Sequence, residues 1–369
     1  MATTSYGVND TLAAKLWGRE LAHEAVKASE IYPMIGPSAN SIIQEKTETQ
    51  KSSGDRITIG LRMQLSGDGF TESEVAEGNG ESLTTFSDNL FVNELGHVVG
   101  VRSENTIDAQ RVSFDLREEA KDGLVDWWAR RISISFFNQV CGNTATSGTG
   151  FPSSTKYTGM NSSLGPAGTT RWIKGAAGTT ADQSLANPAD NMSLTFIDKA
   201  VEIAKSGGST SAPKIRPIRI EGGEHYVCYM HPTQVTALRT STSTGQWLDI
   251  QKAAMQGGEI GNNPLFQGSL GMYNNVILRE SEQISRGVHS STAAAVTTAR
   301  RAVFMGAQAA FVAYGQNSGE NKFRWNEELY DHKRRLEVSA WSIWGLKKCV
   351  WNSIDFATIV LSTRADDAL

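Results

Sequence analysis

The chain has 369 residues, of which 39% are apolar and 20% charged, and its formal net charge is −4. This length allows one large domain or two to three coupled ones, with a sizeable buried core. The acidic balance excludes a chain-wide basic field for holding nucleic acid. Three scattered cysteines exclude a disulfide framework and favour a reducing compartment.

The N-terminal residues do not predict a signal peptide, because no basic segment followed by an apolar one is present. The most apolar stretch, residues 302–314, is too short to span a bilayer. We therefore expect a soluble protein that is made in a cytoplasm and has no membrane partner.

An amphipathic helix is predicted over residues 10–31, with Asp10 as its cap and Pro33 ending it. Two interpretations stay open for this N-terminal arm. The helix packs on the body of its own subunit, or it docks on a neighbouring one.

A long hairpin with a large tip is predicted next. Apolar and polar residues alternate without a break over residues 56–65, and a second β-rich run covers residues 83–102. The tip between them is rich in turn formers. From Ser66 to Asp88 there are acidic residues and no basic ones; the acidic residues are Asp68, Glu72, Glu74, Glu77, Glu81 and Asp88. The tip is either a solvated loop or an arm that reaches a basic patch on a neighbour.

The strongest helix prediction covers residues 115–140, where an acidic first turn follows Asp115. Its packing face contains Leu116, Ala120, Leu124, Trp127 and Trp128. At 1.5 Å rise per residue such a rod is about 39 Å long and can back a sheet.

Residues 142–191 are rich in Gly, Ser and Thr and show no helical or strand period, which predicts a long loop or a mobile insertion. Helices and strands then alternate irregularly, which favours an α+β fold over a doubly wound sheet. The predictions are helices at 193–206, within 231–239 with Pro232 in the first turn, and at 246–256, and strands or β-rich runs at 214–220, 225–230, 274–280, 301–314 and 336–361.

The residues show no catalytic or ligand-binding signature. His225, Cys228 and His231 invite a metal interpretation, but on a strand the cysteine points away from both histidines. His231 precedes Pro232 and is better explained as a turn or cap residue. The sequence has no phosphate loop, nucleophile elbow or zinc-protease spacing. We predict no catalytic residue, cofactor or metal; a hydrolase with an unrecognised site is kept as a rival.

The dense basic run of the chain is His332, Lys333, Arg334 and Arg335, with Lys347 and Lys348 nearby in sequence. It is either a solvated strand end or a patch that meets the acidic tip of a neighbour or faces packaged DNA. A single short cluster is weak support for nucleic-acid binding.

Several stretches, in order from about residue 54 to 348, resemble the major capsid proteins of tailed bacteriophages. They include GDRITIGLRMQLSGDG, FDLREEAKDGLVDWWARR, HPTQVTALRT, GQWLDIQKAAMQGGE, NPLFQGSLGMYNNVILRES and RAVFMGAQAA. The resemblance implies the Hong Kong 97-type capsid fold. Its parts would be an N-terminal arm (1–55), an extended hairpin loop (56–111), a peripheral domain (112–224) with a spine helix (112–140) and the Gly/Ser/Thr-rich insertion (142–191), an axial domain (225–331) and closing strands of the peripheral domain (332–369).

The resemblance further implies a virion protein that assembles in the bacterial cytoplasm into pentamers and hexamers of an icosahedral head around double-stranded DNA. Its expected partners are other copies of itself, a portal protein, a cement or scaffolding protein, and DNA without specificity. Another virion protein, such as a portal or tail component, is the alternative. Some members of this fold class link subunits through a lysine of the hairpin loop; residues 52–120 contain none, so we expect no such link here. The residues expected at subunit contacts are Asp68, Phe70, Glu72, Glu74, Glu77, Lys333, Arg334 and Arg335.

Overall fold

The structure is a computed structural model. It describes residues 24–48, 54–62, 67–82, 85–102, 107–111, 113, 115–147, 161–168, 170–176, 179–208, 212–220, 222–240, 270–316 and 322–365. The predicted helix at 246–256 and most of the one at 10–31 lie outside these residues. Of the helix predicted at 10–31, residues 24–31 are described, and residues 24–28 of them are helical.

The described residues contain both strands and helices, and the predicted α+β class is confirmed. In chain order the strands are β1 Ile35–Gly36, β2 Ile43–Lys46, β3 Arg56–Arg62, β4 Thr85–Phe91, β5 Asn93–Arg102, β6 Trp172–Lys174, β7 Ile218–Ile220, β8 Gly223–Met230, β9 Gly271–Tyr273, β10 Val276–Glu280, β11 Arg286–Val288, β12 Ala295–Met305, β13 Ala310–Tyr314, β14 Arg324–Tyr330, β15 Arg335–Lys348, β16 Val350–Trp351, β17 Ile354–Asp355 and β18 Thr358–Arg364. The α-helices are Ile107–Arg111, Leu116–Val140, Leu194–Ser206 and Pro232–Thr240, and 3-10 turns lie at Tyr32–Met34, Asp182–Ser184 and Pro188–Asp190.

The predicted long helix is confirmed as Leu116–Val140, which we call the long helix. The Asp115 carboxylate caps it by accepting a hydrogen bond of 2.8 Å from the backbone N–H of Arg117. Leu124 and Trp128 are fully buried, and the Trp128 ring packs edge-on against Phe323 with centroids 4.8 Å apart. The buried face of this helix therefore lies on the sheet that contains β15.

Strand β15 is fourteen residues long and organises a six-stranded sheet in the order β1-β2-β13-β15-β14, with β5 also paired to β15. Strand β5 pairs along residues 335–344 of β15, β14 along 335–341 and β13 along 344–348. Alternate residues such as Val338 and Ala340 are fully buried toward the long helix. The residues of β5, β14 and β15 that point away from the long helix form a solvent face of the sheet.

A second, eight-stranded sheet has the order β6-β18-β12-β8-β10-β9, with β11 on β12 and β7 on β8. Residues 226–230 of β8 are all buried, as expected for a strand covered on both faces and paired in parallel with β10. The helix Leu194–Ser206 buries Phe196, Ile197 and Val201. One continuous apolar core joins this sheet, the long helix and the six-stranded sheet.

The hairpin prediction requires a correction at Val92. Strand β4 pairs with β3 over seven residues, but β5 turns away and joins β15. The β-rich run of residues 83–102 continues through this point, whereas the partner strand changes. The chain passes close to β15 where it leaves β4. A glycine is needed in β15 at this point, because a Cβ at Gly345 would clash with the Phe91 carbonyl oxygen.

The boundary predicted at 331/332 does not divide the sheets. Strands β13 and β14, which precede it, pair with β15, which follows it. Strand β18, close to the end of the chain, pairs along seven residues of β12. The strands of each sheet come from both sides of that boundary, because sheet partners are chosen by register and not by order in the chain.

Residues 142–191 were predicted to be a long loop or a mobile insertion, and their described part contains the short strand β6 and two 3-10 turns. This part is irregular but tied to the core by buried charges. The Asp182 carboxylate forms an ion pair of 2.8 Å with Arg301, and both side chains are almost completely buried. It also accepts a hydrogen bond from the backbone N–H of Val288. Strand β6, within the same segment, pairs in parallel with β18.

We predict that Asp182→Asn lowers the free energy of unfolding by about 3–5 kcal/mol, because it leaves the buried Arg301 guanidinium without its counter-charge. Chemical denaturation of the purified protein measures this change. The matched control is Glu224→Gln, which breaks an exposed ion pair with Arg219 and should cost less than about 1 kcal/mol. Equal losses in the two variants would contradict the role assigned to the buried pair.

Candidate inter-subunit contact site

The tip of the hairpin, residues 67–82, is exposed throughout. All five tip residues predicted as contacts are on the surface; they are Asp68, Phe70, Glu72, Glu74 and Glu77. The Glu74 carboxylate accepts a hydrogen bond of 2.9 Å from the backbone N–H of Thr71, which closes a local turn. The tip is therefore held by its own polar groups and does not depend on packing against the body.

Two apolar side chains stand among the tip carboxylates. Phe70 is 50% exposed and Val75 is 69% exposed. Exposed aromatic residues beside charges are typical of contact sites, since they supply apolar area at the centre of an interface. The sequence prediction included Phe70 but missed Val75, whose only signal was an apolar residue within a polar, turn-rich segment.

The root of the hairpin is anchored to the body by Asp88, which the sequence prediction had counted with the acidic tip. The Lys347 amine donates hydrogen bonds to the Asp88 carboxylate and to the Asn89 carbonyl oxygen. Ile57 and Leu90 are buried in an apolar cluster with Trp351. The hairpin is thus firmly rooted at one end and exposed at the other.

The predicted basic run forms the turn between β14 and β15. Asp331, His332 and Lys333 all have left-handed φ angles of 51–70°, and the run from 331 to 335 is exposed. We call this segment the basic turn. Lys347 and Lys348 do not belong to it, because they lie at the other end of β15, roughly 40 Å away at 3.3 Å per residue. Lys348 is buried in an ion pair of 2.8 Å with Asp355.

Cross-strand register adds Arg102 to the basic turn, a residue that sequence reasoning missed. Arg102 lies directly opposite Arg335 on the solvent face of the sheet. The next pair on that face is also of like charge, Glu337 opposite Glu328. A hydrogen bond from the Tyr330 hydroxyl to Glu328, together with the negative charge there, raises the pKa of Tyr330 to about 12. Like charges directly opposite one another are unfavourable in an isolated sheet.

The acidic tip and the basic turn belong to different hairpins. Among the described residues of one chain, no ion pair joins a tip carboxylate to Lys333, Arg334 or Arg335. The tip therefore presents only negative charge, whereas the basic turn presents its cations beside the carboxylate of Asp331. The arrangement suits a contact between copies, in which opposite charges meet across the interface.

The residues considered for metal binding or nucleophilic chemistry are buried or engaged locally. The His231 ring contacts the Thr233 hydroxyl at 2.8 Å, and the His231 backbone N–H donates to Gln234, which confirms a turn and cap role. Burial raises the pKa of Cys141 to about 11 and that of Cys228 to about 12. Within the described ranges, no three His, Cys, Asp or Glu residues are grouped so as to hold a metal ion.

Three features together define a Hong Kong 97-type capsid fold. They are the hairpin rooted on the body, the long helix packed on strands β5, β15 and β14, and the eight-stranded sheet. The capsid of Ralstonia phage GP4 matches with a TM-score of 0.80 and 31% identity over 100% of both chains. The cyanophage Pam1 capsid shares the fold, with a TM-score of 0.67 and 22% identity over 93% of this chain and 94% of that one.

Sequence comparison defines the family. Residues 5–366 match the family described as phage capsid protein, and the chain belongs to that family. The major capsid protein of Pseudomonas phage KPP25 is 26% identical over 359 residues, which cover 92% of this chain and 90% of that one. The chain is thus a phage major capsid protein whose copies associate into the head shell of the virion, and the portal or tail alternative is not supported. The helices of the described segments include none that is long and apolar enough to cross a membrane.

We predict that Lys347→Met loosens the root of the hairpin, since the Asp88 carboxylate loses its cationic partner in a half-buried site. Hydrogen–deuterium exchange over residues 56–62 and 85–91 should become about tenfold faster, as expected for the loss of a charged hydrogen bond. Lys322→Met is the matched control, because it removes a comparable pair with Glu45 elsewhere. Unchanged hairpin exchange in Lys347→Met would show that the pair is not the anchor.

Proposed function

We propose that copies of this chain form pentamers and hexamers that tile an icosahedral shell around double-stranded DNA, and that the hairpin tip binds the basic turn of a neighbouring copy. The proposal is supported chiefly by the opposite charges of these two exposed patches, which do not meet within one chain. Heterologous contacts of this kind close into rings when the rotation between copies closes.

The tip supplies both charge and apolar surface for this contact. Glu72, Glu74 and Glu77 would face the basic turn, and Phe70 would supply buried area at its centre. Charge complementarity sets the register and suppresses wrong pairings more than it adds affinity. Each contact can be weak, because every subunit in a shell is held at many contacts at once.

We infer that the role of the chain is structural and not catalytic, and that assembly takes place in the cytoplasm of the host bacterium. A portal protein and a cement or scaffolding protein would be its further partners. Lysine is absent from residues 52–120, so the hairpin would be held by non-covalent contacts or by a cement protein. The net charge of −4 would limit tight, non-specific binding to the packaged DNA.

Deletion of residues 68–82 should leave a folded subunit that fails to form stable shells, because the segment has no role in the core. Circular dichroism and the unfolding midpoint should remain close to those of the parent protein, while electron microscopy should show no intact particles. Normal particles from the deletion variant would count against a role for the tip.

A charge exchange tests the pairing itself. Glu72→Lys with Glu77→Lys should reduce shell yield about tenfold, because the tip would then repel the basic turn. Glu74 is left in place since it closes the local turn. Lys333→Glu with Arg334→Glu should have the same effect, and the four changes together should restore assembly.

Shell yield is measured by sedimentation of assembled particles at low and at high salt, since exposed charge pairs weaken with ionic strength. The neutral variant Glu72→Gln with Glu77→Gln should fall between the parent and the reversed tip. The result that would exclude the basic turn as the acceptor of the tip is a quadruple variant whose shell yield stays low although both double variants are folded.

A further inference from the structure

Strand β5 presents a long, unprotected edge. One side of β5 pairs with β15, and within the described ranges no strand pairs with its other side. The strand has ten residues, about 33 Å, and residues 95–101 include no charged residue and no proline. Exposed strand edges template pairing with another chain unless charge, proline or a bulge blocks them. Among the described residues, the free edge of β5 is therefore available to pair with another chain.

The sequence of β5 is complementary to itself. If two copies of the strand run antiparallel with Val98 opposite Val98, then Glu94 of each copy lies opposite Arg102 of the other. In the same register Gly96 faces Gly100, and His97 faces Val99. Opposite charges directly across an antiparallel pair are favourable, and two such pairs form at each interface. A register shifted by two residues loses both charge pairs.

The two faces of the sheet are compatible with such pairing. Leu95, Val99 and Val101 pack toward the core in each copy, whereas Val98 is 44% exposed on the solvent face. A two-fold axis normal to the sheet keeps the solvent faces of both copies on the same side. The long helices then also lie on one side, as copies in a shell with distinct inner and outer surfaces require.

We propose that β5 pairs with β5 of a second copy across a two-fold axis, so that the two six-stranded sheets join into one. The contact rests on the shell-forming function and is separate from the contact between tip and basic turn, because its geometry is isologous and Arg102 is the one residue that it shares with that contact. Backbone hydrogen bonds supply the attraction, and the Glu94–Arg102 pairs fix the register.

A cysteine at the two-fold axis tests the geometry. In Val98→Cys the two Cα atoms should lie about 4.5–5.5 Å apart, within disulfide range. The native cysteines Cys141, Cys228 and Cys349 are buried and should not interfere. Purified particles exposed to mild oxidant should give covalent dimers on a non-reducing gel.

Ser339→Cys is the matched control. Ser339 lies opposite Val98 on β15, one strand further from the axis. Two copies of Ser339 should be about 14 Å apart, three strand spacings, and should not form a disulfide. Absence of dimers in Val98→Cys particles, or equal dimer formation in both variants, would overturn the proposal.

Charge changes in the Val98→Cys background test the register. Glu94→Arg should slow dimer formation about tenfold, because it places two pairs of arginines opposite one another. Adding Arg102→Glu should restore the parent rate. Glu94 also contacts Arg324 within its own chain, so Arg324→Ala is the control and should leave the rate unchanged.

The outcomes separate this contact from the proposed tip contact. If Val98→Cys forms covalent dimers also in a protein that carries Glu72→Lys and Glu77→Lys, the result would support the β5 pairing independently of the tip contact. Intact particles without such dimers would reject the β5 pairing and would not affect the proposal for the tip contact. This result is also expected if the hairpin of a neighbouring copy covers the edge of β5.

Discussion

Backbone pairing along β15 is the constraint on which the rest of the structure depends. This strand pairs with β13 and β14, which precede it directly in the chain, and with β5, which lies more than 200 residues earlier. Its last two residues carry the charges that fix other segments. Lys347 holds the root of the hairpin at Asp88, and Lys348 is paired with the buried Asp355. Burial opposes both charges of the second pair, lowering the pKa of Lys348 and raising that of Asp355, while their mutual attraction counters it.

The consequence is a subunit with a rigid body and exposed, chemically distinct extensions. The apolar core runs through both sheets and the long helix. The hairpin tip, the basic turn and the edge of β5 instead expose charge or backbone groups at the surface. Groups of this kind can pair across contacts between copies, and a shell protein requires such contacts.

Local periodicity predicted the elements well but did not predict their partners. The alternation over residues 56–62 and the helical pattern of the long helix were confirmed, because both depend on near neighbours in sequence. The β-rich run of residues 83–102 passes through Val92, where the chain changes sheets, and a two-residue period carries no information about which strand is adjacent. The composition of residues 142–191 did not predict the buried pair of Asp182 with Arg301, because the two residues are 119 positions apart in the chain.

Charge patches were also predicted only in part. The tip carboxylates and the basic turn are exposed as their composition indicated, whereas Asp88 and Lys347 form an internal pair and Arg102 joins the basic turn through register alone. Cryo-electron microscopy of assembled particles tests the central claim most directly. The account predicts that residues 67–82 of one copy contact the basic turn and Arg102 of another. A tip that folds back on its own subunit and touches no other copy would contradict it.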